Sequence, residues 1–118
     1  MAEHNDVGKL GENIAAEYLL GLGYKVLRKN YRFRKGEIDI IAINPNGKFT
    51  FFEVKSRKGG GEPEQAVNKK KIKLLLETID QYKYENKIED ETFLDIIAII
   101  IYDSKVPEIE HFEDVWLY

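Results

Sequence analysis

Apolar residues recur along this chain at two different spacings. Two stretches follow the spacing of a helix face and predict helices over about residues 7–21 and 63–85. The stretches rich in β-branched and aromatic residues predict strands over residues 24–33, 37–43, 49–57 and 93–102. The C-terminal sequence EIEHFEDVWLY fits a strand or a short helix equally well. The pattern therefore predicts an α/β fold of order α-β-β-β-α-β plus a short last element, in one domain spanning residues 1–118.

Turn and cap residues refine these boundaries. Asp6 is a suitable N-cap for the first helix, and Pro63 suits the first turn of the second. The segment NPNGK, residues 44–48, joins the second and third strands and predicts a hairpin. The helix before the last long strand predicts that this strand lies parallel to a neighbour.

Charged residues stand at unexpected places in the two strands of the hairpin. Alternation puts Glu37 and Asp39 on one face of the second strand, and Glu53 and Lys55 on one face of the third. If the loop is symmetric about Asn46, Asp39 lies directly opposite Glu53. The Cβ atoms of such a pair are about 4.5 to 5.5 Å apart. A shift of one residue would separate the two carboxylates.

Two carboxylates at this distance repel each other unless a cation lies between them. Mg²⁺ or Mn²⁺ fits this position, because Mg²⁺ takes one or two carboxylates together with waters and phosphate oxygens. Lys55 points to the same side and could hold a water or stabilise charge that develops on a phosphate. The alternative is a cross-strand salt bridge from Lys55 to Asp39 or Glu53 on a partly exposed face.

The net charge of −3 conceals a basic middle of the chain. Residues 25–73 carry 14 Lys and Arg against 5 Asp and Glu, a net charge of +9. Within them, the segment KVLRKNYRFRK has six basic residues, two aromatic residues and no acid. Such a segment is a candidate phosphate-binding surface, or else a solvated strand whose charges prevent edge pairing.

The sequences GEIDII and FFEVKSR together resemble the metal-binding core of the PD-(D/E)xK, or restriction-endonuclease-like, nuclease superfamily. Within it, the whole chain is similar to the YraN-like group. The segments that carry this likeness are GKLGENIAAEYLLGLGYKVLRKNYRFRKGEIDIIA, FFEVKSR, AVNKKK, LDIIAI and EIEHFED. The chain is also similar to archaeal Holliday junction resolvases, which have the same order of Glu, Asp and ExK.

The resemblance implies a restriction-endonuclease-like mixed sheet flanked by helices. It also implies that Glu12 of the first helix joins Asp39 and Glu53 at the metal, with Lys55 as the fourth catalytic residue. We therefore expect a Mg²⁺- or Mn²⁺-dependent endonuclease that cuts DNA, of a branched or non-standard structure. The alternative is a nucleic-acid-binding module with a nuclease-like fold that cleaves nothing. A homodimer would suit a junction-cutting enzyme.

Further residues are candidates for supporting roles. The residues predicted to contact nucleic acid, mainly through its backbone, are Arg28, Lys29, Arg32, Arg34, Lys35, Arg57, Lys69 and Lys71. Glu37 is either a group that supports the metal ligands or an outer salt-bridge partner, and Gln65 lies near the start of the second helix.

The absence of cysteine excludes disulfides, a thiolate zinc site and a thiol nucleophile. No apolar run is long enough to cross a bilayer, and the N-terminal residues do not resemble a secretory signal. The sequence therefore predicts a cytoplasmic protein.

Overall fold

The computed structural model describes residues 3–60 and 69–116, with side chains from Asp6 onward. Helix α1 spans Glu3–Gly21, and helix α2 spans Lys69–Glu85. The five strands are β1, Lys25–Phe33; β2, Gly36–Ile43; β3, Phe49–Lys58; β4, Phe93–Ile101; and β5, Glu108–Phe112. Within the residues that the structure describes, neither helix is long and apolar enough to cross a membrane.

One mixed sheet carries all five strands, in the order β1-β2-β3-β4-β5. Strands β3 and β4 are parallel, as expected for strands linked by a helix, and the other neighbours are antiparallel. The C-terminal element, which the sequence left open, is the edge strand β5. The predicted α/β class and element order are confirmed, and they are compatible with a nuclease-like fold.

The symmetric hairpin register is confirmed. Ile41 lies opposite Phe51 and Ile43 opposite Phe49, as the loop centred on Asn46 predicts. The Asn44 side chain fixes the loop, because its Oδ1 accepts the backbone N–H of Asn46 and of Lys48 at 2.9 Å. The register that the carboxylate argument needs is therefore set by the turn.

The sheet separates two apolar clusters, one under each helix. The cluster on the α1 side comprises Ala15, Ala16, Leu19, Ile40, Ala42, Phe52, Ile97 and Ile99. The cluster on the α2 side comprises Tyr31, Ile38, Ile41, Phe51, Leu75, Ile79, Tyr82 and Leu94. Helix α2 packs over β2 and β1, whereas α1 packs mainly over β3 and also touches β1 and β4. Beyond Leu94, the α2-side face of β4 and β5 therefore has no helix from the described chain on it.

One predicted helix start differs from the structure. Helix α1 already includes Glu3, so Asp6 lies inside its first turns and the interpretation of Asp6 as the N-cap is wrong. Acidic residues are favourable throughout the first turn of a helix because they interact with its positive end, so Asp6 suits either position. The predicted start of the second helix, with Pro63, lies outside the described residues.

Glycine allows each helix to approach the sheet closely at one point. A Cβ on Gly11 of α1 would collide with the Ser56 side chain on β3, and the Ser56 hydroxyl donates to the Val7 carbonyl at 3.2 Å. A Cβ on Gly36 would collide with the Leu74 carbonyl of α2. These approaches fix the helix turns that carry Glu12 and Lys71 relative to β2 and β3.

A buried polar network ties β5 and α1 to β4. Asp95 is 2% exposed, and its Oδ2 lies 2.8 Å from His111 Nε2 on β5. His111 Nδ1 in turn lies 3.0 Å from the Tyr18 hydroxyl on α1. The second Asp95 oxygen accepts the backbone N–H of Asp114 at 2.9 Å. Asp95 therefore has a structural role within the fold.

We expect Asp95→Ala to lower the free energy of unfolding by about 2–4 kcal/mol, because it leaves His111 and the Asp114 amide without their buried acceptor. Urea denaturation followed by circular dichroism would measure the loss. Asp103→Ala, which removes an exposed carboxylate after β4, is the matched control and should change the free energy by less than about 0.5 kcal/mol. Equal effects of the two substitutions would contradict a structural role for the Asp95 network.

Candidate metal site and its flanking groove

The candidate site lies where β2 and β3 stop pairing. Their ladder ends at Ile40 opposite Phe52, one residue before Asp39 and Glu53. Beyond that point the Asp39 Oδ2 accepts the backbone N–H of Val54 at 2.7 Å. A side-chain carboxylate thus takes the donor that would otherwise continue the ladder with the residue opposite, Ile38. This hydrogen bond fixes the Asp39 side chain to β3.

The side chains of Asp39 and Glu53 meet and are hydrogen-bonded to each other. Burial, followed by the negative charge of Glu53, raises the pKa of Asp39 to about 8, although the Val54 N–H opposes this. Burial also raises the pKa of Glu53, while its hydrogen bond to Asp39 and the charge of Lys55 lower it. At neutral pH the carboxyl group of Asp39 therefore holds a proton.

A cleft of about 200 Å³ surrounds this pair. Its lining residues come from the turn before β2, the first half of β2, the middle of β3 and the first turns of α2: Lys35, Gly36, Glu37, Asp39, Glu53, Lys71, Leu74 and Leu75. The positive charge of Lys71 lowers the pKa of Glu53. Two lysines from different elements therefore stand beside the two carboxyl groups.

Lys55 lies on the same face of β3 as Glu53 but lines a neighbouring groove. Its positive charge lowers the pKa of Glu53. Among the ion pairs of the described residues, none joins Lys55 to Asp39 or Glu53. The cross-strand salt bridge that was the alternative interpretation is therefore not the arrangement in this structure.

Glu12 is half-buried at the margin of α1, as its position in the helix predicts. Burial raises its pKa, and a hydrogen bond with Asn30 of β1 lowers it. Its charge acts on Asp39 and raises the pKa of that carboxyl group, so the two residues belong to one electrostatic cluster. Asn30 lies on the edge strand β1, near Glu12 of α1. Its backbone has the left-handed conformation, with a φ of 56°.

The donor chemistry of Asp39 and Glu53 fits a hard divalent cation such as Mg²⁺ or Mn²⁺, because both groups offer oxygen atoms in a polar cleft. A cation would also offset the burial and the repulsion by Glu53 that keep a proton on Asp39. In the described part of the chain, no three acidic or histidine side chains are close enough together to hold one metal ion. The participation of Glu12 as a third ligand therefore stays a prediction.

Comparison with known proteins places the chain in a family. The model of an uncharacterised protein family, UPF0102, matches residues 11–99. The chain belongs to this family. It is 42% identical to the UPF0102 protein FP2501 of Flavobacterium psychrophilum, over all of this chain and 99% of the relative. It is 41% identical to a UPF0102 protein of Christiangramia forsetii, over 100% of this chain and 99% of the relative. A UPF0102 protein of Thermotoga petrophila is 36% identical, over 92% of this chain and 95% of its own.

The basic residues of this UPF0102 protein do not all lie on one face. In β1, Lys29 donates to Asn13 of α1 at 3.0 Å, whereas Arg28 stacks over the Tyr31 ring on the α2 side. Arg34 lies over the Phe33 ring, and the exposed Lys69 begins the described part of α2. The predicted surface therefore wraps around the β1 edge.

Two of the predicted supporting residues lie at or beside the cleft. Glu37 lines the cleft and pairs with Arg32, whose Nη2 lies 3.4 Å from Glu37 Oε2, as expected of an outer salt-bridge partner, and its support of the metal ligands stays a prediction. Arg57 lines the groove beside Lys55. Gln65 lies outside the described residues.

Sequence reasoning missed two contributions to this site. It treated Lys71 as a phosphate contact only, although α2 brings it to the wall of the cleft. It also missed the Val54 N–H, which holds Asp39. The hairpin register does indicate a role for the Val54 N–H, because it puts Val54 near the end of the ladder. No signal in the sequence places α2 over β2 rather than over β4.

The stability of this UPF0102 protein should fall as the pH rises from 5 to 8.5. The folded protein keeps a proton on Asp39 up to a pKa of about 8, whereas the unfolded chain releases it near 3.8, so folding binds a proton in this window. The stabilisation is complete below pH 4 and is lost as the pH rises through 8. Asp39→Asn imitates the protonated carboxyl and should exceed the wild type by about 2 kcal/mol or more at pH 8.5.

Urea titrations of the wild type and of Asp39→Asn at several pH values would measure how the free energy of unfolding of each protein depends on pH. Asp90→Asn is the matched control, because Asp90 is an exposed partner of Lys48 far from the cleft. The control should keep the pH dependence of the wild type. A wild-type stability that does not change between pH 5 and 8.5 would contradict the shared proton.

Proposed function

We propose that this protein is a Mg²⁺- or Mn²⁺-dependent nuclease that hydrolyses DNA phosphodiester bonds, as an endonuclease on branched or otherwise non-standard DNA. The observation that carries this proposal is the Asp39–Glu53 carboxyl pair, hydrogen-bonded in a cleft between Lys35 and Lys71. The order of Glu12, Asp39, Glu53 and Lys55 along the chain supports placing the family in the PD-(D/E)xK superfamily.

Asp39 and Glu53 would hold the cation, with Glu12 as the third carboxylate near them. A cation bound there supplies two things, activation of a water molecule and neutralisation of phosphate charge. The hydrogen bond from Val54 orients Asp39 before substrate arrives, so this ligand does not have to be reorganised at the moment of reaction.

The lysines would position the substrate and stabilise its charge. Lys35 and Lys71 flank the cleft and would hold non-bridging phosphate oxygens. Lys55 stands on the other side of Glu53 and would orient water or stabilise the charge that builds up on the phosphate. In the reaction, a bond forms between the water oxygen and phosphorus while the bond to the leaving sugar oxygen breaks. That oxygen leaves with a proton, and the water gives up one.

The second candidate is a nucleic-acid-binding module that cleaves nothing. It is favoured by one observation: in the described residues, no three acidic or histidine side chains are close enough together to hold one metal ion. If no metal site forms, the protein would have only a basic surface and a protonated carboxyl pair. The two candidates differ in their response to metal.

Calorimetric titration of Mn²⁺ into the wild type and into an Asp39→Asn, Glu53→Gln double variant would separate them. For a nuclease we expect binding to the wild type only. It should release roughly one proton per metal at pH 7, seen as a heat that depends on the ionisation enthalpy of the buffer. Incubation with junction, flap, single-stranded and duplex DNA should then give cleavage by the wild type alone.

The matched control is an Asp90→Asn, Glu89→Gln double variant, which removes the same two kinds of charge from an exposed turn. It should bind Mn²⁺ and cut as the wild type does. DNA binding without metal uptake or cleavage in any of the proteins would exclude the nuclease and leave the binding module.

A further inference from the structure

The α2-side face of β3 passes from core to cleft to an open groove. Phe51 is buried under α2, Glu53 lies at the cleft, and Lys55 and Arg57 line a groove of about 520 Å³. The same groove is floored by Ala98 and Ile100 of β4, the residues that alternate with the core residues on the opposite face.

The parallel and antiparallel registers arrange this face in three levels. Glu53, Ile96 and Phe112 lie side by side at the first level. Lys55, Ala98 and Glu110 form the second level, and Arg57, Ile100 and Glu108 form the third. The groove therefore has a basic wall on β3, an apolar floor on β4 and an acidic wall on β5, and Phe112 lies just beyond the groove at the level of Glu53.

We propose that this groove binds the single-stranded arm of a DNA substrate next to the candidate metal site. The proposal rests on the nuclease function and specifies its substrate class, namely DNA with an unpaired arm such as a flap or a splayed end. Lys55 and Arg57 are about 6.6 Å apart along the strand, a spacing commensurate with consecutive phosphates of an extended nucleic-acid strand. Both side chains would contact phosphates in a line that leads away from Glu53.

The other two strands supply contacts for unpaired bases. Phe112 is 45% exposed at the level of Glu53 and offers a ring on which a base can stack. Glu110 is exposed and can accept a hydrogen bond from an exocyclic amino group. Glu108 is held at the end of the groove, where the Tyr102 hydroxyl donates to its Oε1 at 2.8 Å.

The acidic wall on β5 also explains why a single nucleic-acid strand fits the groove and a duplex does not. The β3 and β5 backbones are two strand spacings apart, about 9.6 Å. A duplex, whose major groove alone is about 12 Å wide, would press its second row of phosphates against Glu108 and Glu110. A single strand can keep its phosphates on β3 and its bases towards β5.

A second copy of the chain is the competing occupant, because the basic and acidic rows of two such faces would also match. The face is three strands wide, and β5 is five residues long, which gives roughly 250 Å² of flat area. Stable protein interfaces bury about 800 Å² on each partner. The area therefore favours the nucleic-acid strand.

Fluorescence anisotropy would measure the affinity of the protein for three labelled DNAs: oligothymidine, a hairpin duplex, and the same duplex with an unpaired arm. EDTA in the buffer would prevent metal-dependent cleavage during the measurement. Arg57→Gln should weaken binding of the single strand and of the armed duplex about tenfold and of the plain duplex less than about twofold. Its single-strand salt slope should fall by about 0.7, the value for one lost phosphate contact. Phe112→Ala should show the same selectivity. Glu110→Gln should bind oligothymidine more tightly, because thymine has no exocyclic amino group to donate to Glu110 and the substitution removes a negative charge from the groove.

Arg28→Gln is the matched control, because Arg28 is an exposed arginine on the far edge strand. Arg28→Gln should change the affinity for the armed duplex and for the plain duplex by the same factor. Equal effects of Arg57→Gln on all three DNAs, or no effect, would overturn the groove. So would a wild-type dimer in sedimentation velocity that Arg57→Gln dissociates.

The two proposals fail separately. A preference for the unpaired arm that depends on Arg57 supports the groove even if the protein takes up no Mn²⁺ and cuts nothing. Cleavage that depends on Asp39 and Glu53 but not on Arg57 or Phe112 would support the nuclease proposal and contradict the groove proposal.

Discussion

The site of this protein depends on two carboxyl groups that are held together where a sheet ladder ends. Asp39 and Glu53 are partly removed from water and lie close enough to share a hydrogen bond, and burial raises the pKa of both. The Val54 N–H offsets part of this unfavourable arrangement, as do the charges of Lys55 and Lys71. A fold gains no stability from such a pair at high pH, and carboxyl groups with shifted pKa values in a cleft are typical of functional sites.

The way in which the helices divide the sheet decides what surrounds this pair. Helix α2 covers β1 and β2, whereas α1 covers the opposite face. Glu53 therefore lies at the boundary between a covered and an uncovered half of one face. The covered half supplies Lys71 and the apolar wall of the cleft, and the uncovered half offers Lys55 and Arg57 to solvent. The buried Asp95–His111–Tyr18 network keeps β5 in place beside this open half.

Much of the fold and the centre of the site follow from local sequence patterns. Helical and strand spacing give the element order, and the loop centred on Asn46 fixes the hairpin register. That register is enough to bring Asp39 and Glu53 together, because alternation and a symmetric loop leave one pairing. The C-terminal segment could not be assigned from its own pattern, since its apolar residues fit two periods. It became a strand because Ile109 and His111 pack on the α1 side of β4.

The sequence by itself determined the pieces that depend on neighbouring residues: the elements, the hairpin, the carboxyl pair and the basic character of β1. Only the tertiary structure decided how distant segments meet. It brought Lys71 to the cleft, gave Glu12 its Asn30 partner, distributed the basic residues around an edge strand, and joined β3, β4 and β5 into an open groove. These outcomes depend on which half of the sheet each helix covers. That choice is made by the summed packing of two apolar clusters, and no single stretch of sequence encodes it.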